Sequence, residues 1–65
     1  MQLTKFDIAK EEYDFAHSGV DSKNNYSESK KHLEEYLKEN PYGLDRDFAE
    51  IMLRDTNSKL EKIKV

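Results

Sequence analysis

The stretch Glu39–Phe48, with the sequence ENPYGLDRDF, holds the only proline of the chain and one of its two glycines. Its segment Asn40–Gly43 predicts a type I β-turn, because asparagine, proline and glycine are favoured at the first, second and fourth positions of that turn. Proline also disfavours helical geometry at the residue before it. Asp45 is a suitable N-cap for a following helix, and Asp47 adds the negative charge that a first helical turn favours. The stretch therefore predicts a tight connection between two helices.

Downstream of this turn, a third helix is predicted over about residues 46–63, since no helix breaker interrupts the segment. Between Phe48 and Leu53, apolar residues cover more than half of the helix circumference, which predicts burial by more than one neighbour. We therefore expect this segment to be the centre of the core, covered by the other two helices. One apolar seam runs along the whole helix, formed by Ala49, Met52, Thr56, Leu60 and Ile63.

Upstream of the turn, a second helix is predicted over about residues 27–39. The polar segment 20–29 is typical of a loop, and either Asn25, with Glu28 three residues later, or Ser27 can cap the helix that follows. The apolar stripe of this helix is narrow and consists of Tyr26, Leu33, Tyr36 and Leu37. We expect so thin a stripe to anchor the helix only weakly.

A first helix is predicted over about residues 5–18. Thr4 and Asp7 form the pattern of a capping box, with aspartate in place of the usual glutamate. Gly19 is suited to the left-handed residue that ends many helices. Apolar residues recur at helical spacing along this segment, namely Phe6, Ala9, Tyr13, Ala16 and Val20.

The length and composition of the chain limit its fold and location. A chain of 65 residues forms one domain at most, here predicted to be all-α over residues 1–65, with helices 2 and 3 as an antiparallel hairpin. The absence of cysteine excludes disulfides and thiolate metal sites. No apolar stretch is long enough to span a bilayer or to form the core of a signal peptide, so the cytoplasm is the expected compartment.

Catalytic and cofactor sites are not expected. The chain has no strained nucleophile turn and no glycine-rich phosphate loop, so we predict that it is not an enzyme and has no small-molecule substrate. His32 has Glu28 four residues before it and Glu35 three residues after it, a spacing at which one helix face can share a divalent ion. Metal centres in helical bundles draw carboxylates from several helices, and no second helix offers an equivalent cluster. We therefore predict no metal and no cofactor.

The tyrosines and the charge indicate a class of function. Four tyrosines and no tryptophan in so short a chain are typical of a protein interface, because tyrosine is apolar at one end and polar at the other. The net charge of −3 favours a basic or apolar partner surface. We predict a small acidic regulatory or adaptor protein, of inhibitor or modulator type, that binds another protein or forms a homo-oligomer. The expected contact residues are Tyr13, Tyr36, Tyr42, Leu60 and Ile63.

Two alternatives remain open. The first is a dimeric nucleic-acid-binding regulator that uses the basic residues of the C-terminal helix, namely Arg54, Lys59, Lys62 and Lys64. Asp45 and Asp47 argue against it, because the start of a recognition helix should not repel phosphates. The second is a purely structural homo-oligomer joined along the seam of helix 3.

Overall fold

A computed structural model describes residues 3–63, which form three α-helices. Helix α1 spans Lys5–His17, α2 spans Ser22–Glu39 and α3 spans Arg46–Ile63. Helix α2 packs against both α1 and α3, whereas α1 and α3 barely touch each other. The predicted all-α fold is confirmed, including the packed pair of helices 2 and 3. None of the helices in the described range is both long and apolar enough to cross a membrane.

The ends of α1 form as the sequence predicts. The Thr4 side chain accepts a hydrogen bond from the backbone N–H of Asp7, and the Asp7 carboxylate accepts one from the backbone N–H of Thr4. At the other end, Gly19 has a φ of +93°. The N–H of Val20 donates to the carbonyl of Phe15 at 2.9 Å, which together with the glycine makes a Schellman motif.

Helix α2 begins at Ser22, earlier than predicted, and neither Asn25 nor Ser27 is its cap. The residue before it, Asp21, is left-handed with a φ of 42° and makes no side-chain cap. The Ser22 hydroxyl instead donates a hydrogen bond of 2.7 Å to the carbonyl of Ala16, across the connection between α1 and α2. Tyr26 in the first turns of α2 is buried, so tertiary packing outweighs the loop-like composition of this segment.

The connection between α2 and α3 is the predicted β-turn. The N–H of Gly43 donates to the carbonyl of Asn40 at 3.1 Å. A Cβ on Gly43 would lie 3.2 Å from the Tyr36 hydroxyl oxygen, so glycine also allows the turn to pack closely on α2. The carbonyl of Asp45 accepts the first hydrogen bond of α3, from the N–H of Ala49 at 2.9 Å.

The core is centred on α2, and the predicted centre at Phe48–Leu53 is wrong. The buried cluster consists of Phe6, Ala9, Leu33, Tyr36 and Ala49, with Leu37, Met52 and Leu53 packed against it. Phe48 is 68% exposed and Ile51 is 60% exposed. The physical reason is that α1 hardly reaches α3, so only α2 covers α3 and only one face of α3 is buried.

Small residues allow the helices to approach α2 closely. Ala9, Ser29, Ala49 and Thr56 are all completely buried. The Ser29 hydroxyl donates to the carbonyl of Ala9 at 2.9 Å, which satisfies the buried hydroxyl and fixes the register of α2 against α1. Ser29 therefore adds to the narrow apolar stripe by which α2 contacts its neighbours.

Candidate protein-binding groove

An open groove lies between α1 and α3. It encloses about 380 Å³ and is lined by Tyr13 from α1 and by Phe48, Ile51, Met52 and Asp55 from α3. The groove exists because both helices pack on α2 but not on each other. We call it the α1–α3 groove.

The apolar wall of this groove is a second stripe on α3. Phe48 and Ile51 lie three residues apart, which places them on one side of the helix. Leu44 lies in the turn before α3. All three side chains are exposed, Leu44 completely. Ala49 and Thr56, on the other side of the helix, are completely buried. Helix α3 therefore has two apolar faces in its first half, of which α2 covers only one.

Tyr13 joins the two walls of the groove. Its hydroxyl donates a hydrogen bond to the carboxylate of Asp55. This hydrogen bond, with partial burial of the ring, raises the pKa of Tyr13 to about 12. The ring stacks on His17, with centroids 5.8 Å apart, and meets the ring of Tyr26 edge-on. The groove thus combines an apolar wall, formed by Phe48 and Ile51, with a polar part formed by the hydrogen-bonded side chains of Tyr13 and Asp55.

The five residues predicted to contact a partner lie in different parts of the structure. Tyr13 lines the groove. Tyr36 is 8% exposed and packs against Phe6 with ring centroids 5.5 Å apart, so it belongs to the core and cannot serve as a surface contact. Tyr42 is 94% exposed in the turn, and Ile63 is partly exposed near the end of α3. Leu60 lines a different cleft.

Four of the five groove residues were not predicted as contacts. These are Phe48, Ile51, Met52 and Asp55. The sequence carries a signal for two of them, since Phe48 and Ile51 lie three residues apart on one side of helix 3. The expectation that helices 1 and 2 both cover helix 3 places these two residues in the core instead.

The seam predicted to join a homo-oligomer faces α2 within the same chain. Ala49, at its start, and Thr56, at its centre, are completely buried in the single chain. Ala49 belongs to the same buried cluster as Leu33 and Tyr36 of α2. The contact surface that Ala49 and Thr56 would give to a homo-oligomer is therefore already used inside the chain.

A cluster of lysines lies at the opposite end of the molecule from the turn. A cleft of about 320 Å³ is lined by Lys23, Ser27, Lys30, Lys31 and Glu34 of α2 and by Leu60 of α3. We call this the lysine cleft. The antiparallel arrangement brings the start of α2 beside the end of α3. The residues predicted to contact nucleic acid lie elsewhere: Arg54 and Lys62 are exposed, Lys59 is half-buried, and Lys64 falls outside the described residues.

Comparisons of the chain with protein-family models, with curated proteins and with solved structures found no match.

Proposed function

We propose that this protein is a small non-enzymatic regulator that binds another protein through the α1–α3 groove. The observation that supports it is the exposure of Phe48 and Ile51, at 68% and 60%, beside a groove that their side chains line. Contiguous exposed apolar surface of this kind commonly marks an interaction site. Burying such a side chain fully contributes about 1.5–3 kcal/mol, so the two residues together supply a useful part of a binding free energy.

The occupant we propose is an amphipathic helix of the partner. A groove between two helices, with a third helix behind it, accepts a helix that completes a four-helix arrangement. The apolar face of the partner would contact Phe48 and Ile51. A lysine or arginine beside that face would meet Asp55, which lies in the groove lining. The net charge of −3 favours such a basic helix over a second copy of this chain.

The test compares two variants that remove exposed apolar side chains from different faces of the protein. Phe48→Ala combined with Ile51→Ala removes the apolar wall of the groove. Phe15→Ala is the matched control, because Phe15 is 53% exposed but lies beside Glu11 and Asp14 on the outer face of α1. Proteins captured from the source cells by the unmodified chain are identified by mass spectrometry, and the affinity of each is then measured with the purified partner. We expect the groove variant to weaken binding at least tenfold and the control to bind normally.

The opposite pattern would overturn the proposal. If the groove variant binds every captured protein as tightly as the unmodified chain, the groove is not the contact surface. Sedimentation equilibrium on the same proteins separates a second copy from a foreign partner. A dimer that dissociates in the groove variant would assign the groove to self-association instead.

Nucleic-acid binding is a second candidate, supported by the lysine cleft. Three lysines of α2 converge there, which is the type of basic surface that contacts phosphates. Glu34 lines the same cleft and reduces its positive charge. Retention on duplex DNA at low salt, compared between the unmodified chain and Lys30→Glu with Lys31→Glu, tests this candidate.

A further inference from the structure

We infer that α1 and α2 together form a binding site for a divalent transition-metal ion, made by Glu12, Glu28 and His32. One donor atom from each residue lies within 4.8 Å of the donor atoms of the other two. The Nδ1 atom of His32 lies 2.6 Å from the Oε1 atom of Glu12. Of the residues that the sequence places beside His32 on α2, Glu28 belongs to this cluster and Glu35 does not. The structure adds the carboxylate from a second helix that a metal centre in a bundle requires.

The charges of the cluster favour a cation. With both glutamates ionised, two negative charges meet one imidazole, so the cluster stays negative whether or not the ring is protonated. Within residues 3–63, no lysine or arginine forms an ion pair with either glutamate. The side chains of His32 and Glu12 are only 23% and 19% exposed, which weakens screening by water. A divalent ion would neutralise the two carboxylates.

The donor set selects the class of ion. One imidazole nitrogen with two carboxylate oxygens suits zinc and neighbouring transition metals, whereas magnesium and calcium prefer oxygen donors alone. Three protein donors also leave at least one coordination position for water. We therefore expect Zn²⁺ to bind more tightly than Mg²⁺ or Ca²⁺.

Binding requires only side-chain movement. Ligand atoms around a tetrahedral zinc ion lie about 3.3–3.6 Å apart, given bonds of about 2.0–2.2 Å. The 2.6 Å separation between His32 and Glu12 must therefore widen. The ion would take the place of the hydrogen bond between His32 and Glu12. The backbone need not move, because the hydrogen bond from Ser29 to the Ala9 carbonyl already fixes the local register of α1 and α2.

The experiment is calorimetric titration of the untagged, metal-free chain with zinc chloride. We expect one ion per chain, and a rise in melting temperature on the order of 10 °C when free zinc reaches a hundred times its dissociation constant. His32→Gln and Glu12→Gln should each weaken zinc binding at least tenfold. His17→Gln is the matched control, because His17 is the only other histidine and lies outside the cluster.

Several outcomes would overturn the inference. Absence of binding at 1 mM zinc (about the weakest dissociation constant of natural calcium modules) would exclude a useful site. If His32→Gln binds zinc as tightly as the unmodified chain, histidine is not a ligand. If all variants bind Ca²⁺ as tightly as zinc, the glutamates act only as a non-specific acidic surface. Circular dichroism of each metal-free variant shows that it is folded. If His32→Gln does not fold, the proton NMR spectrum of the unmodified chain decides, since imidazole signals of His32 that zinc leaves unchanged would contradict the site.

Discussion

At the scale of single residues, Tyr13 has the most specific role in the fold. Its hydroxyl is the donor that links α1 to α3 through Asp55, across two helices that otherwise hardly touch. Its ring also contacts His17 and Tyr26. Tyr13 therefore holds the width of the groove as well as forming part of its lining.

Tyr13→Phe should destabilise the protein by about 1 kcal/mol at neutral pH, because it removes one partly exposed hydrogen bond to a charged acceptor. In the unmodified chain the raised pKa of Tyr13 means that the folded state favours the protonated phenol. Its contribution is complete below pH 10 and is lost as the pH rises towards about 12. The free energy of unfolding in urea, measured for both proteins from pH 8 to 12, should therefore converge at high pH.

Lysines titrate in the same pH range, including Lys5, whose pKa is raised mainly by its hydrogen bond to Glu39. The same lysines are present in both proteins, so their contribution cancels in the difference between the two free energies of unfolding. A difference between the two proteins that stays constant up to pH 12 would contradict the role of the Tyr13 phenol.

At the scale of secondary structure, the elements differ in how far local sequence determines them. The capping box of Thr4 and Asp7, the Gly19 ending and the turn at Asn40–Gly43 were all predicted, because each depends on residues within four positions of one another. The start of α2 was not predicted, because it depends on burial of Tyr26 and Ser29 against a distant helix. The same reason explains the groove: exposure of Phe48 follows from the path of α1, which no local pattern encodes.

Leu33→Ala should be far more destabilising than Phe48→Ala, although both remove a large apolar side chain. Leu33 is completely buried in the middle of α2, and such truncations cost about 2–5 kcal/mol. Phe48 is 68% exposed, so its truncation should cost about 0.5 kcal/mol or less. Urea denaturation followed by circular dichroism measures both changes.

A domain of this size rarely has more than about 3–5 kcal/mol of stability, so Leu33→Ala should be largely unfolded at 25 °C. Equal losses for the two variants would mean that Phe48 is part of the core in solution. That result would also remove the basis for the α1–α3 groove as a binding surface.

At the scale of the whole molecule, the two proposed surfaces occupy different parts of a flattened shape. The Cα atoms extend over 35 × 23 × 14 Å, so the shortest dimension leaves little interior. This accounts for the small number of fully buried side chains, of which Leu33 is the largest in the described range. Substitutions in the α1–α3 groove should therefore leave the lysine cleft unchanged, and the reverse should also hold.

The charge distribution predicts weak retention on DNA. The chain carries a net charge of −3, and the lysine cleft includes Glu34. We expect elution from duplex DNA below about 100 mM salt, where a surface with several phosphate contacts would still bind. Lys30→Glu with Lys31→Glu should change this elution only slightly. Tight retention that this variant abolishes would favour the nucleic-acid candidate over the protein-binding one.

The central position of α2 has a consequence for how the chain folds. Almost all contacts between helices join neighbours in sequence, so each hairpin can form with little loss of chain entropy, which is typical of fast folding. The hydrogen bond between Tyr13 and Asp55 joins residues 42 positions apart. It should close after the transition state, so its loss would accelerate unfolding and leave the rate of folding nearly unchanged.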